Sequence, residues 1–401
     1  MSWPTVKLED VFDIVRGGSP RPIDQYITEE SDGLNWISIK DASNSGKYIT
    51  KTKLKIKKEG LSKSRLVKPG DFLLTNSMSF GRPYIMKTSG CIHDGWLALT
   101  GDPDKVDADF FYYLLGSNLL KSKFAALAKG AVVKNLNINL VKGVEIPLPP
   151  LETQKQIAAV LEKADQLRKD CKQMEQELNS LAQSVFIDMF GDPVTNPKGW
   201  DKAPLSAIIE EFLGGKSLVA ADDQNTEYKN RVLKISAVTS GEFKPKESKP
   251  LPNDYEPQVE HFVKTGDLLF SRANTTELVG ATTMVFDEHT GLVLPDKLWR
   301  FVWKDEKSLS PVFIWQQLCE AGVRKEISKL SSGSGGSMKN ISKGKLNTLQ
   351  IVLPPLELQQ KLERIYLKLR VELSNNQQQV KFADQAFNSL MQKAFKGELN
   401  L

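Results

Sequence analysis

Hydrophobic and polar positions alternate along this chain in two textures. Over roughly the first 150 residues, short alternating apolar runs such as WISIKD and GDFLLTN are separated by turn residues and brief helical patches such as ADFFYYLL. That mixture predicts a compact mixed α/β domain with short strands. From Leu151 to Phe190 the texture changes: glycine and proline vanish and residues of high helix propensity dominate. Pro149-Pro150 precede this run and Gly191 follows it, the punctuation expected at a helix start and stop. A helix over these 40 residues would be about 60 Å long. Its apolar positions are Ile157, Leu161, Ala164, Leu167, Cys171, Met174, Leu178, Leu181 and Val185, close to a heptad seam. A narrow stripe on a polar rod predicts a partner helix; the alternative is packing on the rod's own domain.

The whole pattern is written twice, which makes the chain a tandem duplication. Trp3, Leu8, Gly17 and Gly18 recur as Trp200, Leu205, Gly214 and Gly215, a shift of 197. KPGDFLL (68–74) recurs as KTGDLLF (264–270), and IPLPPLETQ (146–154) as IVLPPLELQ (351–359). A second Gly/Pro-free run follows Pro354-Pro355, reaches Lys396 and ends at Gly397, with Asn375–Gln379 as a polar break in its stripe. The predicted architecture is α+β: globular mixed α/β domains at 1–150 and 191–353, and long helices at 151–190 and 354–401 that pair as an antiparallel coiled coil. The paired helices would serve as a spacer.

Composition narrows the function classes. Three cysteines (Cys91, Cys171, Cys319) and three histidines lie scattered, with no CxxC, HxxH or HExxH spacing for a familiar metal site. The scattered cysteines suit a reducing cytoplasm, and no apolar run approaches the length of a membrane span, so a cytoplasmic protein without membrane contact is expected. The net charge is +5, and residues 1–150 carry the excess with 21 Lys+Arg against 16 Asp+Glu, which points toward a polyanionic partner.

The ordered, duplicated set of motifs resembles the DNA-specificity subunit of type I restriction–modification enzymes. The residues that carry the resemblance are the I-P-L-P-P-L-E-x-Q element at the start of the first helix, matched at the second by I-V-L-P-P-L-E-x-Q, and the elements Gly17-Gly18-Ser19-Pro20 and Gly214-Gly215-Lys216-Ser217. To these are added Phe270-Ser271-Arg272-Ala273-Asn274-Thr275 and the Gly/Ser loops ending in Lys134-Asn135 and Lys339-Asn340. The resemblance covers nearly the entire chain. It implies two target recognition domains, each binding one half of a bipartite site in double-stranded DNA. It also implies helices that dock two methyltransferase subunits, with restriction/translocase subunits joining some assemblies. The chain itself would be non-catalytic and carry no cofactor, S-adenosylmethionine and ATP belonging to partner subunits. One departure stands out: where the second copy reads Ser271-Arg272-Ala273-Asn274, the first reads Thr75-Asn76-Ser77-Met78, so the arginine is missing.

Candidate DNA-binding residues follow. Residues 47–68 hold nine Lys+Arg and one acid, and Lys51, Lys53, Lys55 and Lys57 alternate with other residues. On a strand they would share one face, either as a phosphate-tracking surface or as a solvated edge strand protected by lysine. Arg272, Asn274 and Thr275 are the base-reading candidates of the second domain, and Asn76, Ser77 and Arg82 of the first; for Asn and Ser a turn role is the alternative. Arg16, Ser19, Arg21 and Lys216 flank the glycine pairs. Lys134, Asn135, Lys339 and Asn340 close the Gly/Ser loops, as arms that order on phosphates or as linkers. The glycine pairs allow either close approach to DNA or a tight turn, and the turn is the reading preferred.

Three rival readings stand beside this one. A methyltransferase would need a Gly-rich cofactor turn and an N/D-P-P-Y/F element, and neither is present. A nuclease centre would use Asp296 with Asp305-Glu306-Lys307, a cluster that reads more simply as a charged hairpin tip. A two-headed protein-binding scaffold without DNA readout would keep the duplication but not need the basic segment.

Overall fold

The computed structural model describes residues 3–76, 81–128, 136, 138–216, 218, 227–333 and 338–399. The chain divides into two compact units, one of residues 1–173 with 377–401 and one of residues 174–376. The division passes through both long helices.

In the first unit the relevant elements are β1 (Phe12–Arg16), β2 (Leu54–Ile56), β3 (Phe72–Thr75), β4 (Trp96–Gly101) and α1 (Ala108–Leu115). Helix α2 (Leu151–Phe190) leads into the second unit, which holds β5 (Ile209–Gly214), β6 (Leu268–Ser271), β7 (Ala273–Asn274), β8 (Leu298–Trp303), α3 (Pro311–Cys319) and β9 (Lys339–Asn340). Helix α4 (Leu356–Lys396) follows. Each repeat is built on the same antiparallel core: β1–β4–β3 and β5–β8–β6, each extended by one more antiparallel strand (83–86 and 282–284). A second sheet in each repeat contains a parallel pair, 34–37 with 90–92 and 231–233 with 292–293. The α+β duplication is thus repeated at the level of topology.

The P-P-L-E-x-Q element owes its glutamine to hydrogen bonding. Gln154 and Gln359 are buried on the first turns of α2 and α4. Gln154 Nε2 donates to the carbonyls of Pro149 (2.9 Å) and Lys105 (3.0 Å), and its Oε1 accepts from the Asp107 amide at 2.9 Å. Gln359 Nε2 donates to Pro354 O at 2.7 Å, and its Oε1 accepts from the Ser310 amide at 3.0 Å. Asp107 and Ser310 are the N-caps of α1 and α3, so one side chain ties the start of the long helix to the start of a domain helix. The other end of each rod is also tied. Trp200 Nε1 donates to Phe190 O at 2.9 Å, and Trp3 Nε1 to Ala394 O at 2.8 Å, each satisfying a carbonyl of a helix's last turn. Gly191 and Gly397 then leave the helices with φ of 74° and 75°, a left-handed stop that glycine adopts without strain.

The helices run antiparallel. In the first unit the early part of α2 meets the late part of α4, where Lys172 bonds Asp384 at 3.0 Å and the Arg168 guanidinium lies 4.5 Å from the centre of the Phe387 ring. In the second unit Phe186 and Phe190 of α2 share a core with Leu362 of α4. The predicted continuous seam is corrected in its middle. Leu167, Met174 and Leu181 are 58%, 48% and 45% exposed, whereas Cys171 between them is buried, so the seam is followed only in part there and is fullest at the rod ends. There Ile157 and Leu161 enter the core around Phe110 and Phe111, and Phe186 and Phe190 the core around Phe313. Both sequence readings therefore apply, to different stretches.

Each domain is further fastened to its helix, by different chemistry. In the first unit buried Lys47 bonds Asp109 (2.6 Å) and Glu162 of α2 (3.1 Å) and lies over the rings of Tyr48, Tyr112 and Tyr113. Burial alone would depress this ammonium, but the bonds to Asp109 and Glu162 outweigh it and hold Lys47 well above the ordinary lysine range. In the second unit Phe286, Trp315 and Tyr366 of α4 pack ring against ring, and Arg370 pairs with Asp287.

Two further expectations are corrected. Strand β2 lies inside its sheet, between strands 27–28 and 34–37, so it is not an edge. The Lys304–Lys307 cluster is not a hairpin tip; the chain leaves β8 through a short 3-10 turn (Glu306–Ser308) into α3. Replacing Gln359 by alanine strands the Ser310 amide and the Pro354 carbonyl in the interior. Denaturant titration is expected to show a loss of about 1–3 kcal/mol, with the N-cap of α3 opening first in hydrogen exchange.

Candidate nucleic-acid interface

The second repeat gathers its candidate residues at the leading end of β8. Ser271 lies opposite Leu298, which brings the next residue, Arg272, beside the loop before β8. Arg272 Nε donates to the backbone carbonyl of Asp296 at 2.8 Å, and an Nη to its carboxylate at 3.3 Å. The guanidinium carbon sits 5.8 Å from the centre of the buried Trp299 ring. The chain then forms β7, which pairs with β9 so that Ala273 faces Asn340 and Asn274 faces Lys339. Lys339-Asn340 is thus part of a strand and not a free arm, and Lys339 Nζ donates to Gly333 O at 2.8 Å. Asn274 Oδ1 accepts from the amide of exposed Thr275 at 2.8 Å. Lys216 is exposed, and its backbone bridges Pro295, the residue before Asp296. Arg272, Asn274, Lys339, Asn340 and Lys216 therefore converge, with Thr275 next in the chain.

The first repeat builds the corresponding place around Asp94. Arg16 Nε donates to Asp94 O at 3.0 Å, and the Ser19 hydroxyl to Asp94 Oδ1 at 3.0 Å. Exposed Arg21 lies 3.6 Å from the other carboxylate oxygen. Asn76 is buried; its Nδ2 donates to Asp94 O at 3.4 Å, and its Oδ1 has no donor among the described residues. Asn76 consequently holds the loop from inside and presents no edge to a base, which corrects its expected reading role. The Leu136 amide bonds Asn76 O at 3.1 Å, as the Ile341 amide bonds Arg272 O at 2.8 Å, so the two sites share their backbone frame. Burial opposes ionisation of Asp94, but the Ser19 hydroxyl, its own amide and Arg16 prevail and hold its carboxyl below the usual range. Ser77, Lys134 and Asn135 lie outside the described residues.

The remaining candidates fall elsewhere. Lys51, Lys53 and Lys57 are exposed and their ammonium groups have no hydrogen-bond or ion-pair partner among the described residues, whereas half-buried Lys55 in β2 donates to Ser31 O at 3.0 Å. The expected one-faced strand shrinks to the three residues of β2, with Lys51 and Lys53 ahead of it and Lys57 after it. Arg82 lies over the Tyr84 ring and lines a cavity of about 900 Å³ with Lys121, Arg168 and Lys396, so it is not part of the Asp94 cluster. Asp94 and Asp296 were missed as site residues. The available signal was an aspartate shortly before a tryptophan in HDGW and PDKLW. Asp296, grouped with Asp305–Lys307 in the nuclease reading, is bonded to Arg272 before β8, while that trio follows the strand's other end.

The glycine pairs bring the chain close to itself. A Cβ on Gly17 would stand 2.1 Å from His93 O, and one on Gly215 1.7 Å from Leu294 O, and neither glycine has a positive φ. Close approach is thus required, though to protein backbone, and the preferred turn reading is corrected.

A repeated α+β domain that holds an arginine at an aspartate, each copy joined to one of two antiparallel helices, defines a class of duplicated binding protein. Comparison with known proteins specifies the class. The family model of the type I restriction modification DNA specificity domain matches residues 1–180. The EcoKI specificity subunit of Escherichia coli K12 is 24% identical over 99% of this chain and 89% of its own length. The MjaVIII specificity subunit of Methanocaldococcus jannaschii is 25% identical over 89% of this chain and 83% of its own length. Among solved structures, a chain of a type I restriction–modification assembly superposes with a TM-score of 0.61 at 18% identity, covering 99% of this chain and 98% of that one. The type I S subunit from M. genitalium gives 0.56 at 14% identity, over 98% and 96%. Residues 1–180 thus match the type I restriction modification DNA specificity domain, and over nearly its whole length the chain is similar to the specificity subunits, the non-catalytic DNA-recognition members of type I restriction–modification complexes.

Gly215→Ala is expected to destabilise the second unit by about 3 kcal/mol, the upper part of the range for overpacking. Gly344→Ala, with nothing within 4 Å of the added carbon, should be tolerated; thermal unfolding of the two variants separates them.

Proposed function

We propose that the two recognition domains, residues 1–150 and 191–353, each read one half of a bipartite duplex site. The paired helices, 151–190 and 354–401, then fix the gap between the halves. The observation that carries this reading is that each repeat holds a guanidinium at one aspartate while keeping donors uncommitted. Arginine offers five donors, and these contacts use one or two. The candidates Arg16, Ser19, Arg21, Lys216, Arg272, Asn274, Thr275, Lys339 and Asn340 surround these places. Lys51, Lys53 and Lys57 supply sequence-independent grip on phosphates. Exposed apolar residues on the rods, among them Leu167, Met174 and Phe382, suit docking of two methyltransferase subunits, with restriction/translocase subunits joining the complete complex. S-adenosylmethionine and ATP would act on those partners, in the cytoplasm. No helix among the described residues is long and apolar enough to cross a membrane.

The test is genome-wide mapping of methylated bases in cells that carry the modification subunit with and without this chain. A bipartite motif that disappears with the chain is expected; an unchanged methylation pattern refutes the reading. In binding assays across a salt series, replacing Lys51 or Lys53 by alanine should reduce the slope of log K against log salt by about 0.9 each, with the motif unchanged.

A further inference from the structure

Strand register places the two sites on one frame. In the first repeat Trp96 of β4 faces Thr75 of β3, and Leu97 faces Leu74. In the second, Leu298 of β8 faces Ser271 of β6, and Trp299 faces Phe270. Asp94 and Asp296, each two residues before the facing pair, hold equivalent positions, and so do Asn76 and Arg272. On the other flank Arg16 faces Leu97 and Gly214 faces Trp299, so Arg16 and Gly214 are equivalent as well. The plain repeat shift of 197 hides this match, because the register slips by one between Ile209 and Glu211. The first repeat therefore carries arginine on the outer flank and asparagine on the inner one, and the second carries glycine and arginine. The arginine absent from position 76 has its counterpart across the central strand. In both repeats its Nε donates to the same backbone carbonyl, at 3.0 Å to Asp94 and 2.8 Å to Asp296.

We infer that each recognition domain reads a guanine with an arginine held by Nε at this carbonyl, and that the reader in the first domain is Arg16. The inference rests on the bipartite-reader proposal and deepens it. A guanidinium fixed through Nε keeps its terminal N–H groups in one plane, the fork that fits O6 and N7 of guanine in the major groove. Arg16 is exposed, and Arg272 keeps 28% of its side chain exposed. A reading role explains why a guanidinium appears at the same carbonyl from opposite sides: its position is retained while its strand of origin is not.

The test uses the complex of this chain with its modification subunit, read by methylation mapping and by competition among duplexes that vary one base pair. Arg16→Gly is expected to relax one G·C position in one half-site, lowering discrimination roughly 5- to 150-fold there and leaving the other half-site intact. Adding Asn76→Arg to Arg16→Gly rebuilds the arrangement of the second domain and should restore that preference. Arg16→Lys, which keeps the charge but not the fork, should relax the same position. Uniform weakening on all duplexes with an unchanged motif identifies a phosphate contact and overturns the inference. So does full selectivity in Arg16→Lys, or a double variant of wild-type thermal stability that restores nothing. A wild-type complex that methylates no bipartite motif overturns the underlying proposal along with it.

Discussion

A carboxamide taken out of water has to bond its acceptor and its donors, and that constraint joins each recognition domain to its long helix. Gln154 and Gln359 meet it by bridging the proline pair before the helix to the N-cap of a domain helix. If the amide were displaced, several buried backbone groups would lose partners together, which makes the junction stiff. The orientation of each domain is then referred to the axis of its rod. The ionic hub of Lys47 and the ring cluster of Phe286, Trp315 and Tyr366 add to junctions that the glutamines already define.

The two aspartate sites obey a similar economy. The loops before β4 and β8 present a backbone carbonyl at a fixed place in each sheet, and a guanidinium reaches it from whichever neighbouring strand supplies one. Backbone geometry is thereby retained while side chains differ. Asn76 fills the first domain's inner slot, where Arg272 stands in the second, and Trp299 lies under Arg272 where the first domain has Leu97. Two domains of one topology thereby carry different side chains at equivalent places.

Much of this was legible in the chain itself. The helices announced themselves because forty residues without glycine or proline, bounded by Pro-Pro and Gly, leave few other choices. The duplication was visible because its landmarks keep their order. The apolar stripe was over-read: Leu167 and Met174 continue the period, but the period cannot say whether a domain, a second helix or solvent faces each turn. The strand role of Lys339-Asn340 was missed because serine and glycine dominate the loop before it. The equivalence of Arg16 with Gly214 was beyond reach, since it depends on pairing between segments some eighty residues apart and on a one-residue slip that no local pattern records.

The bond between Trp3 and Ala394 has a consequence for biosynthesis. The core of the first unit includes Phe387, Ala394 and Phe395, whereas the second unit is the continuous stretch 174–376. On the ribosome, the domain that emerges first therefore waits for its last core residues until some 240 further positions have been translated. The later-made unit has all its residues earlier. Order of synthesis and order of completion are reversed, and the earlier domain spends that interval with part of its apolar surface uncovered.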